Sequence, residues 1–322
     1  MTEIYKPAKI IAVASSFEGI LNDGAPECAL VSFNAYQDQV PGSFFGGKMS
    51  AAEFNNDYRN TVAVKAFLAL RPLVEVAEDY RTVLDLMNQN VSETAAFADN
   101  PNDPVLYAIL VDKFNAIKQA TKAERDAFGK GKESLFYKAR EALKGEDYKA
   151  WLNTQVPFSD TIPEFRKLVE TQQWDGNVPK SGFFPRFATS KDEKSTIELC
   201  TFYTDPVVGK LDKSDVGDGR CLIPPNGIVG METVPSRNKV EQLKVIAEKL
   251  GVPRGQVWRM NDRYDPKQQE ELYAAGFVYQ FFLPGYATPT EIEKSKSDKF
   301  VRLLDRKNFA EQLANFAKDW GF

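Results

Sequence analysis

Residues 8–36 read AKIIAVASSFEGILNDGAPECALVSFNAY, and the first half of that stretch decides the fold. Residues 8–14 end in an unbroken apolar run, the composition of a strand buried on both faces. The run breaks at Ser15-Ser16, passes through Phe17-Glu18-Gly19, and residues 24–37 resume as a helix. A strand that ends on small polar residues and a glycine presents its carboxyl end as a place for chemistry. The side chains offered there are the Ser16 hydroxyl and the Glu18 carboxylate.

Downstream, the character changes twice. From about 44 to 155, apolar residues recur at helical spacing (Val62, Phe67, Leu70, Val74, Val83, Leu84, Met87), with charges between them and no strong strand pattern. This block reads as a helical insert. After it, GFFPRFATSKDEKSTIELC reads as a strand ending at Thr189-Ser190 and then a helix. GIVGMETV is a short strand, NKVEQLKVIAEKLGV an amphipathic helix closed by Gly251, GQVWRMNDRYDPKQQEELYAAGF a strand, polar loop and helix, and VYQFFLPG a further strand. Strands alternating with helices of this length call for a parallel, doubly wound α/β sheet. Alone at the N-terminus the first strand would have no partner, so it must join that sheet. The expected architecture is therefore a Rossmann-like α/β core, residues 1–23 and 156–322, with an all-helical cap inserted at 24–155.

Composition narrows the function classes. The chain has 322 residues, 43% hydrophobic and 27% charged, with a formal net charge of -4 and a pI near 5.3. No global positive field recruits nucleic acid or an anionic membrane. Cys28, Cys200 and Cys221 have no C-x-x-C spacing, the N-terminal MTEIYKPAKII is too quickly polar for a signal peptide, and no window approaches a spanning segment. The expectation is a cytoplasmic protein that binds neither nucleic acid nor membrane. The chain also lacks histidine altogether, which removes Ser-His-Asp and Cys-His catalysis, His-ligated zinc and imidazole proton transfer.

In a doubly wound sheet, ligands bind beyond the carboxyl ends of the strands. Polar residues arrive there in SSFEG, ATSKD, SRNK and NDRYD, each of which also reads as an ordinary cap or turn. In this order they resemble the haloacid dehalogenase-like superfamily of mostly Mg²⁺-dependent phosphatases. Its first motif, strand-D-x-D-G-[TV]-L, resembles Ser16-Phe17-Glu18-Gly19-Ile20-Leu21. Its second resembles Thr189, with Ser190 beside it, its third Lys239, and its fourth Asn261-Asp262-Arg263-Tyr264-Asp265. The resemblance spans nearly the whole chain and fails at the first motif.

What the resemblance implies is aspartyl-phosphate chemistry. The first aspartate attacks phosphorus, the second acts as acid and base, and Mg²⁺ neutralises phosphate charge with help from the fourth-motif acids. Thr189, Ser190 and Lys239 would hold phosphoryl oxygens, and Asp262 and Asp265 would hold the metal. Here the nucleophile position is Ser16, a poor nucleophile without a base, and serine deletes a charged metal ligand. Glu18 keeps an acid at the acid/base position but displaces its carboxyl by ~1 Å, a shift that costs about 10²-fold in rate. The expectation is a non-catalytic or weakly active homologue with Mg²⁺ binding weakened or lost. It either keeps a crevice for a phosphorylated or anionic ligand or serves as a protein partner. A purely structural remnant of the loop stands beside it, in which Ser16 caps a helix and Lys239 pairs with Asp262. The alternative is an active Mg²⁺-dependent phosphomonoesterase in which Glu18 or Asp23 replaces the missing nucleophile.

The tail, DKFVRLLDRKNFAEQLANFAKDWGF, places Phe309, Leu313, Phe316 and Trp320 on one helical stripe. Such a stripe covers the protein's own sheet or, as the less favoured reading, docks a partner or a second copy.

Overall fold

The computed structural model describes residues 4–43, 45–189, 192–204, 223 and 225–322. The chain divides into two compact units, Met1–Asp23 with Pro157–Phe322, and Gly24–Val156.

The first unit is built on a seven-stranded sheet. Its strands are β1 (Ile10–Ser15), β2 (Gln173–Asp175), β3 (Val178–Ala188), β4 (Ile228–Val229), β5 (Val257–Asn261), β6 (Gln280–Phe282) and β7 (Val301–Leu303). They lie in the order β2-β3-β1-β5-β6-β7, with β4 beside the far end of β3. All pairings are parallel except the β2–β3 edge. β1 is central, as its two-sided apolar composition requires, and is buried from Ile11 onward. Its register sets Ser15 beside Phe187 of β3 and Met260 of β5, so three neighbouring strands reach their carboxyl ends together.

Alternation along these strands divides the core between two faces. Ala12, Ala14, Ala188, Val229 and Val257 share one apolar cluster with Leu243, Ile246 and Ala247 of helix Lys239–Leu250. That helix is bounded as its sequence suggests: Asn238 accepts from the Glu241 amide, and Gly251 closes it in the left-handed region at φ +64°. The alternate residues carry rings. Phe165 meets Phe187 and Phe309, and Trp258 meets Phe316. The C-terminal stripe thus packs on its own unit: Phe309 and Leu313 are buried, and Phe316 also contacts Phe281. Trp320 is 55% exposed.

The second unit is helical. Among the described residues of 24–155 the ordered elements are helices, the main ones Ala25–Gln37, Val62–Leu70, Asp79–Gln89, Val91–Asp99, Pro104–Ala120, Lys122–Gly129 and Leu135–Glu146. Phe67, Leu70, Val74, Val83, Leu84 and Met87 are buried in one core, whereas Val62 is exposed. Val62 is the first residue after the Thr61 N-cap, where the helix has not yet reached the core. Ring stacking runs from Phe67 through Tyr80 to Phe136. In the same unit the buried Glu27 carboxylate accepts from Arg140 Nε and Nη2, each at 2.8 Å, and from the Trp151 indole N–H at 3.0 Å. A groove of about 560 Å³ in this unit is lined by Asn34, Lys48, Glu53, Leu135 and Lys138, among others. Among the described residues, no helix is long and apolar enough to cross a membrane.

Candidate functional site

The loop after β1 is held by its own backbone. The Gly19 amide donates to Asn22 O, and the Leu21 and Asn22 amides donate to Phe17 O, while the buried Phe17 ring packs edge-on against Phe187. Gly19 has a φ of +78°, open to glycine at little cost. A Cβ there would also lie 2.2 Å from Asp262 Oδ2, so the absence of a side chain lets the carboxylate lie against the loop. Gly285 repeats the device from the next strand end, where a Cβ would lie 1.9 Å from Gly19 O. Arg306 fastens the same turn, donating to Gly19 O at 2.9 Å, Pro284 O at 3.1 Å and Ile20 O at 3.2 Å.

Ser16, Thr189 and Asp262 follow the ends of β1, β3 and β5, three adjacent strands, and all three are buried. Ser16 caps no helix. Its hydroxyl donates to Asn261 Oδ1 at 2.7 Å and accepts from Arg259 Nη2 at 2.8 Å. Arg259 Nη2 also donates to Asn261 Oδ1 at 2.8 Å, and Arg259 Nη1 donates to Ala14 O at 3.0 Å and Met260 O at 2.9 Å. Asn261 is oriented by its own amide nitrogen, which donates to Arg263 O. A guanidinium only 1% exposed therefore ties the ends of β1 and β5 through four oxygens. Burial lowers the pKa of Arg259 to about 10, against the opposing pull of Asp262.

Lys239, at the start of its helix, donates from Nζ to Ala188 O at 2.9 Å, and Gln242 one turn on donates to Thr189 O. Both bonds fix the carboxyl end of β3 to the helix N-terminus. Burial brings the Lys239 pKa down to about 7; the Arg259 charge pushes the same way and Asp262 opposes it. Glu18 accepts from the Asn22 side-chain amide at 2.8 Å. Asp23, the other carboxylate of the loop, accepts from the Tyr286 hydroxyl at 2.8 Å. Ser190 and Cys221 lie outside the described residues.

Asp265 is exposed and is the N-cap of helix Pro266–Ala274, accepting from the Gln268 amide at 3.2 Å. One of its oxygens starts that helix, a local use that the spacing to Asp262 alone does not reveal.

In fold, the chain is similar to solved haloacid dehalogenase-like hydrolases. One, a haloacid dehalogenase-like family hydrolase from Streptococcus pneumoniae, is 11% identical with a TM-score of 0.46, over 95% of this chain and 98% of that one. Another, described as a predicted phosphatase from Clostridium acetobutylicum, is 11% identical with a TM-score of 0.43, over 98% of this chain and 99% of that one. No protein-family model and no curated protein matches the sequence.

The residues present do not fit the divalent cation that the sequence resemblance implies. Ser16 supplies a neutral hydroxyl engaged with Arg259 and Asn261. Asp265 spends an oxygen on capping its helix, and Asp262 lies against the Gly19 loop. Among the described residues, no group of three or more acids or cysteines is arranged to hold a metal. Arg259 adds a positive charge to that position. At ~4 Å and an effective dielectric of ~20, like unit charges repel by about 4 kcal/mol, and a dication would feel about twice that.

Two of these groups were not visible as site residues in the sequence. Arg259 carries a weak signal, a lone charge inside the apolar strand VWRMN. Arg306 carries none, since its partners on the loop, Ile20 and Gly19, lie 286 and 287 residues away.

Proposed function

We propose that the protein is a haloacid dehalogenase-like homologue that has lost aspartyl-phosphate chemistry and keeps an oxyanion-binding strand-end site. The observation that supports this most directly is the Ser16 hydroxyl, held between the Arg259 guanidinium and the Asn261 amide. Its proton is donated to Asn261 Oδ1, a neutral acceptor and no base. The chain has no histidine to activate it. The two loop carboxylates have local partners of their own: Glu18 accepts from Asn22, and Asp23 from Tyr286.

What the site retains suits a phosphate or carboxylate oxygen. Lys239 donates one hydrogen bond to Ala188 O, and an ammonium carries three donors. It stands at a helix N-terminus beside the second-motif strand end, a setting that favours negative charge. A bound oxyanion would keep Lys239 protonated, offsetting the cost of its burial.

The test has two arms. Turnover of p-nitrophenyl phosphate and a panel of phosphorylated metabolites is expected to stay at background with or without Mg²⁺. Titration with inorganic phosphate by calorimetry should give saturable binding that Lys239→Met weakens by at least tenfold. Robust Mg²⁺-dependent turnover abolished by Glu18→Gln would overturn this reading in favour of an active phosphomonoesterase.

A further inference from the structure

The Arg259 guanidinium is surrounded by groups that a cation would recruit. Two side-chain oxygens, Ser16 Oγ and Asn261 Oδ1, and two strand-end carbonyls, Ala14 O and Met260 O, accept its protons at 2.8–3.0 Å. All four belong to β1, β5 or the residue after β1, the segments that present the first and fourth motifs. At position 16, where the sequence resemblance expects a charged metal ligand, the side chain is a hydroxyl and a fixed cation lies against it, while Asp262 keeps its carboxylate.

We propose that Arg259 is the resident cation of the strand-end site, a covalently attached replacement for the divalent metal. The guanidinium holds the carboxyl ends of β1 and β5 at their spacing and supplies positive charge without a bound ion. Serine at position 16 follows from this arrangement. A hydroxyl can accept from the guanidinium and donate to Asn261 at once, whereas a carboxylate accepts from both directions and would face Asn261 Oδ1 with no proton to give. Restoring the first motif alone would therefore build an Arg259–Asp ion pair, with Asn261 turned to donate, and no metal site. A planar, always-charged fork suits this task better than an ammonium because it reaches several oxygens in fixed directions.

The inference concerns the cation and stands apart from oxyanion binding at Lys239, which the phosphate titration reads separately. The experiment is a Mg²⁺ titration by calorimetry, with Mn²⁺-induced proton relaxation as a second readout. It compares the natural protein, Ser16→Asp/Glu18→Asp, and that pair with Arg259→Val added. The natural protein and the double variant are expected to bind neither ion saturably. The double variant should melt at a higher temperature than the natural protein and show no Mg²⁺-dependent shift. The triple variant is expected to gain saturable binding, with at least a tenfold rise in affinity over the double variant. Saturable Mg²⁺ binding by the natural protein or the double variant, sensitive to Asp262→Asn, overturns the proposal. So does a triple variant that keeps native circular dichroism and binds no metal. Should the triple variant not fold, the melting curves of the double variant decide: a Mg²⁺-independent rise supports the proposal, and a Mg²⁺-dependent one overturns it.

Discussion

Lys239 is the residue at which burial and charge most openly compete. Its side chain is drawn under the strand ends to reach Ala188 O, and desolvation with the nearby Arg259 charge lowers its pKa to about 7 from the ordinary 10.5. Below pH 7 it is charged in both the folded and the unfolded chain, and its burial then opposes folding in full. Between pH 7 and about 10.5 the unfolded chain binds the extra proton, so this opposition is relieved as pH rises. The expected outcome is a melting-temperature difference between the natural protein and Lys239→Met that moves in favour of the natural protein from pH 7 to pH 9.5. Thermal melts of the two proteins across that range check it, and a pH-independent difference would contradict it. Arg259, lowered only to about 10, stays charged over most of this window.

At the scale of elements, the helical unit depends on a buried ion pair that spans two helices. Glu27 of Ala25–Gln37 is fully buried, and Arg140 of Leu135–Glu146 meets it with two parallel bonds while stacking over Phe136. Arg140→Ala strands the carboxylate, a loss expected to cost about 3 kcal/mol or more in urea unfolding. Replacing the two together, Glu27→Leu with Arg140→Met, removes the unpaired charge and is expected to cost much less. Measured unfolding energies for the single and double changes decide the matter, and equal losses would show that packing, not charge, governs the site. The sequence displayed the two helices through their apolar spacing. It did not display this pair, because residues 113 positions apart meet only after the helices pack.

For the whole molecule, each unit has its own apolar core, and a unit with its own core is expected to fold alone. Residues 24–156 expressed by themselves should give a helical circular dichroism spectrum and a sigmoidal urea transition; a gradual, non-cooperative loss of signal would count against this. Much of the architecture was legible beforehand, since β–α alternation and period-3.6 spacing are local properties of the chain. Those patterns alone determined a parallel α/β sheet with β1 inside it, a helical block after the first loop, and strand ends bearing Ser16, Thr189 and Asp262. Tertiary structure decided the chemistry offered there. It turned Asp265 to its helix, set Arg259 against Ser16, and drew Arg306 onto Gly19. Local sequence encodes backbone conformation through neighbours a few residues apart, whereas the charge at a strand end is set by side chains from segments more than two hundred residues away in the chain.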